Sequence, residues 1–326
     1  MRTRHSLDQY RQGILAGDRV MLAKAITLVE SLRADDRQLG RELVRSLKSA
    51  APRAHRIGIT GVPGVGKSTF LDVFGTARCN DGLKVAVLAV DPTSEVSGGS
   101  ILGDKTRMEQ LSRHPNAYIR PSPSGLALGG VARRTREAIA LCEAAGFDLI
   151  FVETVGVGQS ETTVAGMVDV FLFLALPGAG DELQGIKKGI LELADLVVVH
   201  KADGEARPRA EEARVTHESA MHYARSGGFW SPRALLASSR TGEGLVEVWA
   251  ALQAHRAAQV AAGELSKRRL AQETRAFWSL IDEGLRSRFD ADANVRAALP
   301  AMLADLAAGV LDAGAAADRL LALHDA

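Results

Sequence analysis

Gly61-Val62-Pro63-Gly64-Val65-Gly66-Lys67-Ser68 constrains this chain more than any other stretch. It follows the apolar run Ile57-Gly58-Ile59-Thr60 and precedes Thr69-Phe70-Leu71-Asp72-Val73-Phe74, which can begin a helix. Strand, glycine loop and helix, in that order, form the context that a phosphate-binding P-loop requires. The glycines let the backbone bend so that its N–H groups converge on phosphate oxygens, at the positive end of the following helix. Lys67 is placed to reach the terminal phosphates, and the Ser68 hydroxyl to ligate Mg²⁺; Thr69 joins them among the nucleotide-binding residues. A nucleoside triphosphate is the expected ligand.

The 326 residues leave room for one large domain with helical additions or for two small domains. A formal charge of +1 leaves no electrostatic footprint for nucleic acid or for an anionic membrane surface. Cys79 and Cys142 lack metal-type spacing and read as buried thiols in a reducing compartment. The N-terminus lacks the apolar core of a secretory signal. The most apolar run, Val168 to Leu176, contains Asp169 and is too short to cross a bilayer. A soluble, cytoplasmic protein is expected.

Residues 1–54 read as a helical extension, with Leu22, Ile26 and Val29 on one face and Leu39, Leu43 and Leu47 on another. Residues 55–254 alternate apolar strands with helical stretches. The strands are continuously apolar, as in 84–90, 148–152, 170–175, 196–199 and 234–237, so they are expected to be covered on both faces. That order predicts an α/β fold, a P-loop NTPase with a mostly parallel sheet flanked by helices. Residues 255–326 read as a helical arm whose stripe of Leu270, Phe277, Ile281 and Leu285 suits self-association.

Ligands of such sheets bind at the carboxyl ends of the strands, and those ends carry chemistry here. Asp91 closes one strand, and the polar glycine loop after it brings Asp104 and Arg107. Another strand ends in Glu153-Thr154-Val155-Gly156, the acid-x-x-Gly pattern by which P-loop proteins sense a γ-phosphate: the acid holds the Mg²⁺ shell and the Gly156 N–H meets the phosphate. Lys67, Asp91, Asp104 and Glu153 are therefore the candidate catalytic residues, and Ser68, Asp91, Asp104 and Glu153 the candidate metal ligands. Val199-His200-Lys201-Ala202-Asp203 stands where GTP-binding proteins carry Asn-Lys-x-Asp. The Asp203 carboxylate can accept from both guanine N–H groups, which adenine cannot supply, while His200 replaces the amide. Ser238, Ser239 and Arg240 follow the last strand as the loop that receives the guanine carbonyl. His217 and His222, five residues apart, read as helix-surface residues rather than metal ligands.

The ordered set Gly61 to Ser68, Asp91-Pro92-Thr93-Ser94, Glu153 to Ser160 and Lys201-Ala202-Asp203 resembles the MeaB/ArgK family of P-loop GTPases, as does Ser122-Pro123-Ser124-Gly125 with Gly129-Gly130. The resemblance implies a homodimeric GTPase of low intrinsic activity, stimulated by adenosylcobalamin-dependent methylmalonyl-CoA mutase, whose cofactor delivery it gates and which it protects. It also implies switch loops at 91–107 and 153–163, a further mobile loop at 177–188, and a C-terminal dimerisation arm. Three other readings stay open at this point: a metal-insertion GTPase, a small-molecule or protein kinase using the same P-loop, and an ATPase admitted by His200.

Overall fold

The computed structural model describes residues 5–47, 54–90, 108–121, 128–154, 160–178, 188–224 and 228–324. Contacts divide the chain into two compact units, 1–270 and 271–326.

The first unit opens with three helices, α1 (Leu7–Leu15), α2 (Arg19–Glu30) and α3 (Ala34–Leu47). Ser6 and Gln9 form a reciprocal capping box at the start of α1, and the Asp18 carboxylate caps α2. Leu22, Ile26, Val29, Leu43 and Leu47 are buried, as their helical spacing predicts. They join one core with the α6 helix (Leu128–Ala144) and one face of the sheet.

The sheet has seven strands: β1 (His55–Gly61), β2 (Val85–Val90), β3 (Ala117–Arg120), β4 (Leu149–Thr154), β5 (Val170–Ala175), β6 (Leu196–His200) and β7 (Arg233–Ala237). Their order is β3-β2-β4-β1-β5-β6-β7, and every pairing is parallel. β1, which leads into the P-loop, is central, with β4 and β5 on either side. Strands β2, β4, β5 and β6 are buried at every residue, as continuously apolar runs covered on both faces should be.

Crossovers are helical: α4 (Lys67–Asn80), α5 (Glu109–Arg113), α6, α7 (Ser160–Ala165), α8 (Lys188–Leu193), α9 (Arg207–Ala224) and α10 (Leu245–Ala261). α4 and α10 cover the face opposite the N-terminal helices, with Phe70, Phe74 and Phe151 wholly buried there. Burying each such side chain contributes about 1.5–3 kcal/mol. The long helix α11 spans Glu264–Ala291, and the second unit continues with α12 (Ala293–Ala307) and α13 (Ala313–His324).

β3 lies outside the strands expected from sequence. It is four residues long and sits at the sheet edge against β2 alone, so no extended apolar run marks it. The expectation for His217 is also corrected. Its ring is buried against Phe173, 6.0 Å between centroids, because that turn of α9 faces the sheet; His222, on the exposed side, bonds the Glu218 carbonyl at 2.8 Å through Nδ1.

Candidate functional site

The carboxyl ends of β1, β4, β6 and β7 lie along one edge of the sheet, with β5 between β1 and β6, and parallel register decides which side chains meet there. Ile59 pairs with Glu153 across β1 and β4, which sets the Glu153 carboxylate next to the start of α4. Ser68, one residue into that helix, has its Oγ 3.5 Å from Glu153 Oε1. Beneath them the Thr154 hydroxyl donates to Thr60 Oγ1 at 2.8 Å, bolting β4 to β1 where the loop departs.

The P-loop turns into α4 through Gly66, whose φ of 98° lies in the left-handed region. A Cβ there would stand 2.9 Å from the His200 ring, so both the backbone angle and the close approach call for glycine. Carbonyls on the back of the loop are held by the site's own side chains. Lys67 Nζ donates to Gly61 O at 2.7 Å, Lys201 Nζ to Gly64 O at 2.8 Å, and the His200 Nδ1 lies 2.8 Å from Val65 O. In a trans peptide the following N–H points opposite to the carbonyl. Tying down the Gly61 and Val65 carbonyls therefore turns the Val62 and Gly66 N–H groups the other way, as a phosphate cradle requires. Val62, Pro63 and Gly64 form the outer part of the loop, Pro63 and Gly64 being exposed, and Thr69 faces solvent one turn into α4.

Burial lowers Lys67 below the ordinary lysine value, while Glu153 and Glu161 pull it back up. Glu161, buried on the first turn of α7, is a carboxylate the sequence reading passed over. Its signal was available: an acid opening a short helix directly behind the glycine-rich stretch 156–158.

The end of β6 carries His200, Lys201 and Asp203. Lys201 sits at φ 58°, the described residues' one positive φ outside glycine, and its stem thereby runs back over the P-loop. Ser238 Oγ donates to Asp203 Oδ1 at 2.7 Å and accepts from the Arg240 and Thr241 N–H groups at 3.2 and 3.3 Å. Arg240 Nη1 approaches Asp203 Oδ2 at 3.6 Å, and Ser239 meets His200. Both carboxylate oxygens of Asp203 thus have partners on the loop after β7, Oδ1 the closer one.

The structure accordingly gathers Gly61 to Thr69, Glu153, His200, Lys201, Asp203, Ser238, Ser239 and Arg240 at one edge. Asp91, Asp104, Arg107 and Gly156 lie outside the described residues, as do the Ser122 to Gly125 stretch and most of 177–188. The oxygen-only donor pair of Ser68 and Glu153 suits Mg²⁺, a hard cation that keeps several waters and takes few protein ligands. Among the described residues, no group of three or more His, Cys, Asp or Glu side chains converges on a metal position, and no helix is long and apolar enough to cross a membrane. Both cysteines are free and buried.

A family model described as methylmalonyl Co-A mutase-associated GTPase MeaB matches residues 22–294. The chain is 53% identical over 317 residues to a putative GTPase of Caulobacter vibrioides, covering 97% of each. It is 50% identical over 257 residues to the GTPase ArgK of Escherichia coli, covering 78% of each. It is 44% identical to the mitochondrial methylmalonic aciduria type A homolog of Mus musculus, over 97% of this chain and 79% of that protein. A solved structure described as a LAO/AO transport system kinase superposes with a TM-score of 0.78 at 35% identity, over the full length of both chains.

Proposed function

Because the chain belongs to the MeaB family, the methylmalonyl Co-A mutase-associated GTPases, we propose that it is a GTP-hydrolysing chaperone of an adenosylcobalamin-dependent methylmalonyl-CoA mutase. It hydrolyses GTP to GDP and phosphate slowly alone and faster with the mutase bound. The cycle gates adenosylcobalamin delivery and protects the mutase from inactivation. The observation that carries this reading is the convergence of a P-loop lysine and serine, a strand-end carboxylate and a guanine-type Lys-x-Asp on one edge of a parallel sheet.

Phosphoryl transfer depends on positioning and charge stabilisation more than on covalent chemistry from the protein. In this reading Lys67 swings from the Gly61 carbonyl to the terminal phosphates, where its charge offsets that developing in the transition state. Ser68 and Glu153, with Asp91 and Asp104, hold Mg²⁺, which when bound supplies charge neutralisation at the phosphate oxygens. Glu153, Asp91 and Asp104 also orient the attacking water, while the Gly156 N–H reports the γ-phosphate to the loop behind it. Asp203 accepts from the guanine ring and amine N–H groups, the Lys201 stem covers the base, and the Ser238-Ser239-Arg240 backbone receives the guanine carbonyl. Residues 1–54 pack as a helical extension, 55–254 form the GTPase domain and 255–326 pair two copies into a homodimer. Exposure of Phe277, Trp278, Leu280 and Leu285 on α11 supports the pairing, and the cytoplasm is the expected compartment.

The test is GTP binding and phosphate release by the wild type and Lys67→Ala, with and without the mutase. Loss of a charged phosphate contact costs about 1.5–3 kcal/mol, so GTP affinity should fall about ten- to 150-fold and turnover should vanish. Full binding and turnover in Lys67→Ala would refute the site. The kinase description of the solved relative keeps one alternative in view, transfer of phosphate to an acceptor other than water. Radiolabelled γ-phosphate appearing on a protein or small molecule would favour it.

A further inference from the structure

His200 is the residue at which the base motif departs from the GTPase pattern, and its ring makes a set of contacts that the departure alone does not foretell. It ends β6, two places from β1 in the sheet, yet its side chain reaches the P-loop. Nδ1 lies 2.8 Å from the Val65 carbonyl, which only accepts, so Nδ1 carries the proton. Nε2 is then an acceptor, and it receives the Ser239 N–H at 3.3 Å and the Ser239 hydroxyl at 2.8 Å. The Phe70 ring meets it perpendicularly, 5.9 Å between centroids at 89°, and Gly66 leaves room for it. With 2% of the residue exposed, both nitrogens are committed to protein partners on opposite sides.

We propose that His200 is a positioning strut that, in its neutral Nδ1–H form, bolts the phosphate loop to the base loop without touching the base. Phosphate and base affinity then rise and fall together, and selectivity for guanine is left to Asp203. The inference rests on the guanine-nucleotide reading of the site.

The strut is sensitive to acid. A second proton would make Nε2 a donor facing the Ser239 N–H, and that bond would be lost. Burial pushes His200 below its ordinary value; the Val65 carbonyl counters this, Lys201 lowers it further and Asp203 raises it. The P-loop, α4 and the loop after β7 present the ring with the Val65 carbonyl, the Phe70 ring and the Ser239 hydroxyl. The neutral ring therefore prevails at neutral pH. Its contribution is present above the ordinary histidine value and is lost as pH falls through the depressed one.

The test is GDP and ADP affinity of the wild type, His200→Leu and His200→Asn, by fluorescent-nucleotide titration from about pH 8 to about pH 5. Losing two or three neutral hydrogen bonds should weaken GDP about ten- to hundredfold in His200→Leu at neutral pH. His200→Asn, which keeps a donor and an acceptor, should return to within about threefold of the wild type, hold the same GDP-over-ADP preference and flatten the acid limb. Should His200→Leu fail to fold by circular dichroism, the preference and pH profile of His200→Asn decide. Unchanged GDP affinity in His200→Leu overturns the strut alone, and a base preference altered in His200→Asn places the ring on the base instead. A wild type that holds ADP as well as GDP overturns the guanine reading, and the inference with it.

Discussion

Replacing Asp169 with alanine should cost the protein more stability than any surface change while leaving nucleotide affinity intact. The carboxylate is fully buried at the amino end of β5, opposite the nucleotide edge. Arg269 of α11 grips it through Nε at 2.8 Å and Nη2 at 2.6 Å, and the Arg56 N–H adds a bond at 3.0 Å. Arg269 Nη2 also donates to Ala54 O at 2.8 Å, so one guanidinium ties α11 to the start of β1 and the foot of β5. Removing one partner of a buried ion pair costs about 3–5 kcal/mol, because the other charge stays behind. Glu143, 3.7 Å from Arg269 Nη1, offsets part of that loss and points to the lower end of the range. For a unit of this size each kcal/mol lowers Tm by about 2–4 °C, so a cost of about 3 kcal/mol gives a drop of about 6–12 °C. Burial would raise the Asp169 carboxyl, but the bond and charge of Arg269, joined by Arg56, hold it below the ordinary value. A depressed carboxyl stabilises above the unfolded pKa of about 4, and that contribution is lost as pH falls through the folded value. The wild type should therefore lose stability below about pH 4 more steeply than Asp169→Asn. Thermal melts at neutral and acid pH, with GDP titration as the control, read both effects. A cost under about 1 kcal/mol, or a matching loss of GDP affinity, would refute the assignment of a local anchor remote from the site.

Gly66→Ala should weaken nucleotide binding and destabilise the fold by about 1–3 kcal/mol, since it forces a side chain into a left-handed position against the His200 ring; denaturant midpoints and GDP titration check this. Asp203→Ala should lose GDP by at least about tenfold while ADP binding changes far less, because guanine offers the carboxylate two N–H donors that adenine lacks; equal losses for both would sink the base assignment. Burial pushes the Cys79 thiol up to about 11 and the Cys142 thiol higher still, so in the native state neither should react with a thiol reagent at neutral pH. Rapid labelling without denaturant would contradict that.

The parallel sheet and the P-loop were legible because their signals are local: apolar runs, a glycine spacing and a following helix. β3 was hidden, since a four-residue edge strand between polar stretches carries too little periodicity. His217 was misjudged because the apolar wall it meets belongs to β5, more than forty residues earlier in sequence. The same holds for the Arg269–Asp169 anchor, whose partners are 100 residues apart. In the site, Lys67, Ser68, Glu153 and Asp203 were readable as motif members. The link from His200 to Val65 and Ser239 was not, because it joins the end of β6 to the P-loop and to the loop after β7, 135 and 39 residues away, and exists only once the sheet has formed.

The most direct measurement is phosphate release from GTP and from ATP by the purified protein, alone and with an adenosylcobalamin-dependent methylmalonyl-CoA mutase. Slow GTP hydrolysis that accelerates on adding the mutase, with ATP turned over poorly in both cases, is the expected result. A GTP rate indifferent to the mutase, or ATP used as readily as GTP, would contradict the assignment.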